Sequence, residues 1–182
     1  MGADLKFPDR CETERLLLRK PVTEDAVQIF GAYATDPDVA RFLIWQPHKE
    51  PEETKEFIAS CLEEWEESKG WPYVIAHREK PEEPIGMIHL HRTAHDISVG
   101  YVLAKSWWGQ GMITEAFIAV IDLCFSQHGI YRISAFCDVE NSGSARVMEK
   151  AGLTFEGILR RHTIAPSLSA EPRDCKLYAI VR

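Results

Sequence analysis

The chain has 182 residues, of which 45% are hydrophobic, and it carries a formal net charge of −7 with an isoelectric point near 5.5. This length suits one ordinary globular domain, so we predict a single domain over residues 1–182. The negative charge argues against nucleic acid as a partner, because binding to a phosphate backbone depends on clustered lysine and arginine. It is compatible with a cationic amine substrate, and equally with a protein that only needs to stay soluble.

The cysteines and the N-terminal segment bear on the compartment. Five cysteines are scattered without a Cys-x-x-Cys pair, which fits neither a disulfide framework nor a zinc signature, so we predict no metal. The N-terminal residues lack the apolar core of a signal peptide, and no run approaches the roughly 18 apolar residues of a membrane span. We therefore predict a cytoplasmic protein that has no membrane partner.

Hydrophobic periodicity and punctuation by glycine and proline predict the order of helices and strands. The predicted elements are a strand (13–20), a helix (Thr23 to about Thr35), a helix (52–68) closed by Gly70, strands (73–77 and 85–91) joined by a turn (78–84), a turn (92–96), a strand (97–103), a helix (114 to about 128), a strand (132–138), a short helix capped by Asn141 or Ser142 and ended by Gly152, and strands (154–159 and 175–181). The strand at 132–138 is expected to lie parallel to the one at 97–103, because a helix connects them. This order predicts a mixed α/β (α+β) fold with one central, mostly antiparallel sheet flanked by helices.

Two glycines follow the strand at 97–103 and precede an amphipathic helix. A helix start offers backbone N–H groups without intrahelical partners at the positive end of the helix dipole, so it suits a phosphate or diphosphate. The turn is not a mononucleotide P-loop, because no lysine follows Gly111, and it is not a dinucleotide motif, because Thr114 stands where a third glycine belongs. A turn that uses glycine only for tight packing is the alternative interpretation.

A second informative stretch is DVENSGSARVMEKAGLTF, over residues 138–155. Taken alone, Asn141 and Ser144 at a helix start are the usual capping residues. The stretch resembles the signature of the RimJ and RimL branch of the GNAT acetyltransferase superfamily, Asn-x-x-Ser-x-x-x-(apolar)-Glu-Lys-x-Gly-Phe, with Leu153 in place of the final Phe. The window Ser-Trp-Trp-Gly-Gln-Gly at 106–111 is similar to motif A of that superfamily, with Ser106 in place of the usual Arg or Gln. The N-terminal TERLLLR, Gly100-Tyr101, Thr114-Glu115-Ala116 and the late Tyr178 also resemble this branch, so the resemblance covers nearly the whole chain.

The resemblance implies an acetyl-CoA-dependent enzyme without a metal that transfers acetyl to a primary amine by direct attack in a ternary complex. It also implies a sheet splayed at the acetyl-CoA site by a bulge, with backbone groups of Val99, Tyr101 and Val102 free to hold the carbonyl and pantetheine. Asn141 is expected to bind the pantetheine region, and Ser144 is the candidate that protonates the departing sulfur. The expected diphosphate cradle comprises Trp108, Gly109, Gln110, Gly111, Met112, Ile113 and Thr114. A homodimer is a further implication of the family.

The general base is the point at which the chain departs from the family pattern, since many relatives carry a glutamate where this chain has Ser98. His89 and His91 are two residues apart on the preceding strand and therefore face the same side. We interpret them as candidate bases, and strand packing is the alternative. Tyr131 and Tyr178 are rivals of Ser144 as proton donors.

The acceptor stays open at the level of the sequence, because fold and cofactor do not select it. A protein N-terminus, a polyamine and another small amine all fit. A non-catalytic acyl-CoA-binding or regulatory module is the alternative from a different class, and the missing glutamate is the observation that favours it.

Overall fold

A computed structural model describes residues 5–93 and 96–182 of the chain. The strands are β1 (Arg10–Glu12), β2 (Leu16–Arg19), β3 (Gly70–His77), β4 (Lys80–Arg92), β5 (Asp96–Leu103), β6 (Arg132–Asp138), β7 (Thr154–Thr163) and β8 (Arg173–Val181). The helices are α1 (Asp25–Ile29), α2 (Pro37–Ala40), α3 (Pro51–Glu66), α4 (Met112–Ser126) and α5 (Ser142–Lys150). A π-helical segment, Phe30–Ala34, continues α1, and a 3₁₀ turn, Lys105–Trp107, follows β5.

The eight strands form one sheet in the order β1-β2-β3-β4-β5-β6-β8-β7. Every neighbouring pair is antiparallel except β5 and β6, which are parallel and joined through α4. The prediction of a mixed, mostly antiparallel sheet flanked by helices is therefore confirmed, and so is the parallel relation of these two strands.

The parallel strands diverge soon after they begin. Pairing between β5 and β6 is confined to Asp96–Ser98 opposite Arg132–Ser134, and beyond that rung each strand keeps only its other neighbour. We call the gap beyond this rung the opening. The pairing of β4 with β5 runs without a register shift from Gly86 opposite Leu103 to Arg92 opposite Ile97. The expected bulge on β5 is therefore absent from its pairing with β4, and β5 and β6 separate without one.

Helices cover both faces of the sheet. On one face α4 buries an apolar stripe against β2 and β5, and α5 packs beside it. On the other face α1 and α3 pack over β3 and β4. Because both faces are covered, the three adjacent leucines of β2 are all buried.

Four features of the first half differ from the prediction. Thr23 does not cap α1, whose N-cap position is Glu24 and has no side-chain cap. Helix α3 begins with a capping box between Glu50 and Glu53. Gly70 does not close α3 but opens β3, and a Cβ there would lie 2.4 Å from a carboxylate oxygen of Glu64. Most of the turn predicted at 78–84 is strand in β4, which shifts register against β3 close to this turn.

In the second half the elements are longer than predicted. Helix α4 begins two residues before Thr114, while β7 and β8 extend into the loop that the sequence placed between them. The cap of α5 by Asn141 and the bounds of β6 are confirmed. The turn predicted at 92–96 includes Ala94 and His95, which lie outside the described residues. Within the described ranges, no helix combines the length and hydropathy needed to cross a bilayer.

Candidate active site

The glycine turn before α4 has the backbone geometry of an anion site. Gly109 and Gly111 have φ angles of +74° and +77°, in the left-handed region that other residues enter only with strain. Gly111 is the N-cap of α4, and the first intrahelical bond runs from Glu115 N–H to its carbonyl at 3.0 Å. The N–H groups of residues 112–114 therefore precede the first intrahelical bond and can donate to a ligand.

The turn itself uses part of the predicted cradle. The backbone N–H of Trp108 donates to Lys105 O at 3.1 Å, and its indole N–H donates to Leu103 O at 2.8 Å. The side chain of Gln110 donates to Ser106 O at 2.9 Å. Trp108 thus supports the turn instead of offering its N–H to a ligand, and the cradle narrows to residues 109–114.

A carboxylate fastens the cradle to the start of the chain. Glu115 accepts from Thr13 Oγ1 at 2.6 Å, from Arg15 N at 2.9 Å and from Arg15 Nε at 2.7 Å. Burial alone would raise the pKa of Glu115, but these bonds hold it below its usual range. Arg15 also donates to Gln110 O at 3.0 Å, and its Nη2 lies 3.6 Å from where a Cβ on Gly111 would stand.

Arg15 was missed by the sequence analysis. Its guanidinium lies at the cradle, where it supplies a positive charge that Ser106 of the motif lacks. The signal for it was only the general likeness of the N-terminal TERLLLR to the family, which gives no direction to the side chain. An arginine 100 residues before its carboxylate partner is brought to the cradle by the tertiary fold alone.

The unpaired edge of β5 faces the opening. Ala104 N–H donates to Ile85 O on β4, so the alternation of an antiparallel ladder directs the backbone groups of Val102 at β4 as well. The backbone groups of Val99 and Tyr101 then point into the opening. Val102 therefore drops out of the backbone contacts that we expected, whereas Val99 and Tyr101 have the required direction.

A pair of hydroxyls lies beside the opening on the face covered by α4 and α5. Asn141 Oδ1 accepts from Ser144 N at 3.0 Å, which caps α5 and fixes both residues. Ser144 Oγ and Tyr101 Oη are 2.7 Å apart, and Tyr101 Oη also donates to Ser144 O at 3.2 Å. Burial raises the pKa of Tyr101, so its hydroxyl stays protonated. The Tyr101 hydroxyl was missed as a partner of Ser144, although the alternation of β5 places its side chain on this face.

The two tyrosines that are alternatives to Ser144 as proton donors, and the Cys137 thiol, are either exposed elsewhere or already have hydrogen-bond partners. Tyr131 is 62% exposed at the start of β6, and Tyr178 donates to Glu149 Oε1 at 3.0 Å. Cys137 Sγ lies 3.7 Å from Asn141 O, and burial raises the pKa of its thiol. A thiol held protonated is a poor nucleophile, so Cys137 is a core residue and not a candidate for covalent catalysis.

The two predicted histidines form a cluster with a glutamate of α3 on the opposite face of the sheet. His89 Nε2 donates to Glu64 Oε2 at 2.8 Å, and the rings of His89 and His91 stack with centroids 3.8 Å apart. One donor or acceptor atom of each residue lies within 4.8 Å of the others. We call Glu64, His89 and His91 the histidine cluster. The glutamate was missed, because nothing in the periodicity of α3 directs one acidic residue at β4.

The electrostatics of the histidine cluster favour neutral imidazoles. Burial and, to a smaller extent, the charged form of the neighbouring His91 together lower the pKa of His89 to about 4, although Glu64 opposes both effects. The pKa of His91 is also lowered, because the surrounding protein desolvates the imidazole more than the charge of Glu64 compensates. Neutral imidazoles are proton acceptors at physiological pH. Two imidazoles and a carboxylate are also a donor set that zinc accepts, although here His89 binds Glu64 directly.

An open groove of about 540 Å³ runs from the cradle along α4. It is lined by Glu12, Thr13, Glu14, Gly111, Thr114, Glu115, Ile118, Ala119, Asp122 and Lys150. Lys150 is the single basic residue of this lining, whereas several carboxylates surround the rest. The groove is therefore acidic, and the feature of its lining that suits an anion is the helix start at Gly111 and Thr114.

Known proteins share the fold of this chain. Residues 15–154, well over half of the chain, match the family described as the acetyltransferase (GNAT) domain. The uncharacterized N-acetyltransferase YoaA of Bacillus subtilis strain 168 is 29% identical over 174 residues, covering 94% of this chain and 96% of YoaA. The crystal structure of a GNAT-family acetyltransferase from Bacillus anthracis is similar with a TM-score of 0.81 and 26% identity, covering 94% of this chain and 98% of that chain.

RimL, described as a ribosomal L7/L12 alpha-N-protein acetyltransferase in complex with coenzyme A, has a TM-score of 0.81 at 20% identity, with 93% of this chain and 95% of RimL covered. At that identity the likeness shows the fold alone. A splayed sheet beside a glycine-led helix start, together with the matches above, defines an N-acetyltransferase. The chain belongs to the GNAT acetyltransferase family.

Proposed function

We propose that this enzyme transfers the acetyl group of acetyl-CoA to a primary amine by direct attack in a ternary complex. The observation that carries the proposal is the placement of two proton-handling groups on opposite faces of one opening. The hydroxyl pair of Tyr101 and Ser144 lies on the α4 and α5 face, and the histidine cluster lies on the α3 face. The coenzyme A bound to the structural relative RimL supports the choice of cosubstrate.

The cradle is proposed to hold the diphosphate of acetyl-CoA. Its backbone N–H groups, the positive end of the α4 dipole and the nearby Arg15 guanidinium all favour a dianionic group. The β5 edge at Val99 and Tyr101 then offers backbone partners to the pantetheine and the thioester carbonyl. Asn141 uses Oδ1 as the cap of α5, so its Nδ2 group is the donor available to the pantetheine.

The acetyl transfer balances as one bond made and one broken. The amine nitrogen attacks the thioester carbonyl carbon, the C–S bond breaks, and the sulfur leaves as a thiolate that takes up a proton. Ser144 is proposed to donate a hydrogen bond or proton to this sulfur. When the single proton of Tyr101 Oη is directed at Ser144 Oγ instead of Ser144 O, the serine hydroxyl becomes a stronger donor, because hydrogen bonds in a chain polarise one another.

The ammonium form of the acceptor must lose a proton before it attacks. We propose that His89 and His91 accept it, directly or through a water, in place of the glutamate that Ser98 replaces. The lowered pKa of each imidazole keeps the acceptor form populated at neutral pH.

For the acceptor we favour a protein N-terminus, with polyamines and other small amines as alternatives. The support is the description of RimL as an alpha-N-protein acetyltransferase, together with the acidic balance of this chain. We further propose that the enzyme works in the cytoplasm as a homodimer. Its five cysteines are all free, which fits a reducing compartment.

A thiol-release assay tests the proposed function. Purified protein is mixed with acetyl-CoA and a panel of N-terminal peptides, polyamines and small amines, and released coenzyme A is followed with a thiol reagent. We expect acceptor-dependent release with at least one amine class, together with acetylated product by mass spectrometry. Tight acetyl-CoA binding without release for any acceptor would instead support the non-catalytic acyl-CoA-binding module.

A further inference from the structure

We infer that Glu64, on α3, is the positioning residue and counter-ion of a proton-accepting pair in which His91 faces the acceptor amine. This inference rests on the proposed acetyl transfer and names the part of the site that handles the amine proton. His91 is the catalytic residue of the pair, whereas His89 and Glu64 act through it.

The strand register places His91 beside the opening. His91 pairs with Ser98 on β5, and Ser98 pairs with Ser134 on β6, so the three residues form one row across the sheet. This row is the last rung at which β5 and β6 are joined. A Cβ on Gly100 would lie 3.9 Å from His91 Nε2, so the imidazole extends over the first glycine of the unpaired stretch. Only the small side chain of Ser98 and the bare Gly100 lie on β5 between His91 and the opening.

The two histidines have different roles because their ring atoms are differently engaged. The Nε2 atom of His89 is committed to Glu64 and is mostly buried, with 15% of the side chain exposed. His91 stacks on the His89 ring but is exposed, so an acceptor amine that enters the opening can reach its imidazole. An imidazole that must meet a diffusing amine needs this accessibility.

Contact between Glu64 and His89 depends on a glycine of β3. A Cβ on Gly70 would stand 2.4 Å from Glu64 Oε2 and 3.1 Å from His89 Nε2. Any other residue at that place would push the carboxylate away from the imidazole. The cluster is thus built by three elements together, α3, β3 and β4, and does not arise from chance contact of long surface side chains.

The charges around His91 come from few groups. Those that interact with the cluster are Glu64 and the Cys61 thiol from α3, His89 from β4, and Lys69 from the segment between α3 and β3. Asp96 of β5 and Arg132 of β6 lie on the same face of the sheet, two residues before the row of Ser98 and Ser134, and pair with each other. Gly70 and Pro72 of β3 and Ser98 and Gly100 of β5 do not titrate. When His91 takes up a proton, Glu64 is therefore the carboxylate that stabilises the positive charge, and mutual repulsion restricts the stacked pair to one proton.

The test substitutes Glu64→Gln and follows the pH profile of kcat/KM for the full-length enzyme. Glutamine keeps the size of the side chain but removes the charge that raises the pKa of His91. Activity requires neutral His91, so the acid limb of the profile moves to lower pH, by about half a pH unit for a charge at this distance. An NMR titration of the imidazole C–H resonances measures the same shift without turnover. Glu66→Gln, an exposed residue of the same helix, is the matched control and leaves both readouts unchanged.

A second variant keeps the test independent of Glu64. His91→Ala is expected to lower kcat by about 100-fold while the affinity for acetyl-CoA stays at the wild-type value. If the wild type is active and Glu64→Gln has the same acid limb as Glu66→Gln, the proposed role of Glu64 is overturned, whereas the proposed acetyl transfer is not. Loss of wild-type activity in a chelator, with recovery on added zinc, also overturns the proposed role of Glu64, because the cluster then works as a metal site. If the wild type binds acetyl-CoA but releases no thiol with any amine, the proposed function and the proposed roles of Glu64 and His91 are both overturned.

Discussion

Glu115→Gln tests how strongly the first turn of α4 is held to the β1–β2 turn. The carboxylate receives three hydrogen bonds, two from Arg15 and one from Thr13. Glutamine keeps one acceptor oxygen for Thr13 and the Arg15 backbone, but its amide group then faces the Arg15 guanidinium, donor against donor. A hydrogen bond between charged groups contributes about 1.5–3 kcal/mol. Because the Arg15 side chain is 39% exposed, water offsets part of this loss, and we expect about 1–2 kcal/mol less stability.

The same substitution has a defined pH dependence. The pKa of Glu115 is lower in the folded protein than in the unfolded chain, so its stabilisation is present above the ordinary carboxyl pKa. That stabilisation is lost as the pH falls through the folded pKa. The advantage of wild type over Glu115→Gln should therefore shrink between neutral pH and about pH 3.5.

Urea unfolding at both pH values measures the difference, with the slope against urea expected to stay constant. Glu171→Gln removes an exposed ion pair to Arg161 and is the control, expected to unfold close to wild type. Equal stability of Glu115→Gln and wild type at neutral pH would refute the reasoning. A difference that persists undiminished in acid would refute the assignment of the effect to the carboxylate charge.

Three further substitutions test the cradle, the hydroxyl pair and a buried ion pair. Gly111→Glu places a strained, negatively charged residue in the cradle and should weaken acetyl-CoA binding at least about 100-fold by calorimetry; normal binding would mean that the cradle is misplaced. Ser144→Ala should lower kcat by about 100-fold with the acetyl-CoA Kd nearly unchanged, and an unchanged kcat would remove Ser144 as the proton donor. Asp25→Asn leaves Arg19 without its buried partner, so we expect a loss of about 3 kcal/mol in urea unfolding, and a loss below about 1 kcal/mol would contradict a stabilising pair.

Much of the fold could be predicted because its causes are local. The bounds of β6 follow from its apolar run, and Asn141 caps α5 as a residue of its type does at a helix start. The parallel relation of β5 and β6 follows from the handed connection through a single helix. Such features depend on a few adjacent residues or on one crossover. The prediction was wrong at Gly70, which was expected to end α3. The local sequence does not show that Glu64 occupies the space that a side chain at this position would need.

Within the candidate site the division is similar. The glycine turn was predicted, because positive φ angles at Gly109 and Gly111 depend on the backbone of those residues themselves. The exclusion of Trp108 from the cradle was not predicted, because its N–H donates to Lys105 O within a turn whose shape the sequence does not determine. Likewise, the direction of the Val102 backbone depends on the ladder to β4 and on the actual register.

The sequence by itself determined the family pattern, the order of elements and the helix start that suits a diphosphate, because spacing and residue type encode them. The tertiary structure alone decided which side chains meet. It joined Arg15 to Glu115 across 100 residues, Tyr101 to Ser144 across 43 and Glu64 to His89 across 25. No local propensity distinguishes one glutamate of α3 from its neighbours. Only the packing of that helix on β3 and β4 brings a single carboxylate against the imidazoles beside the opening.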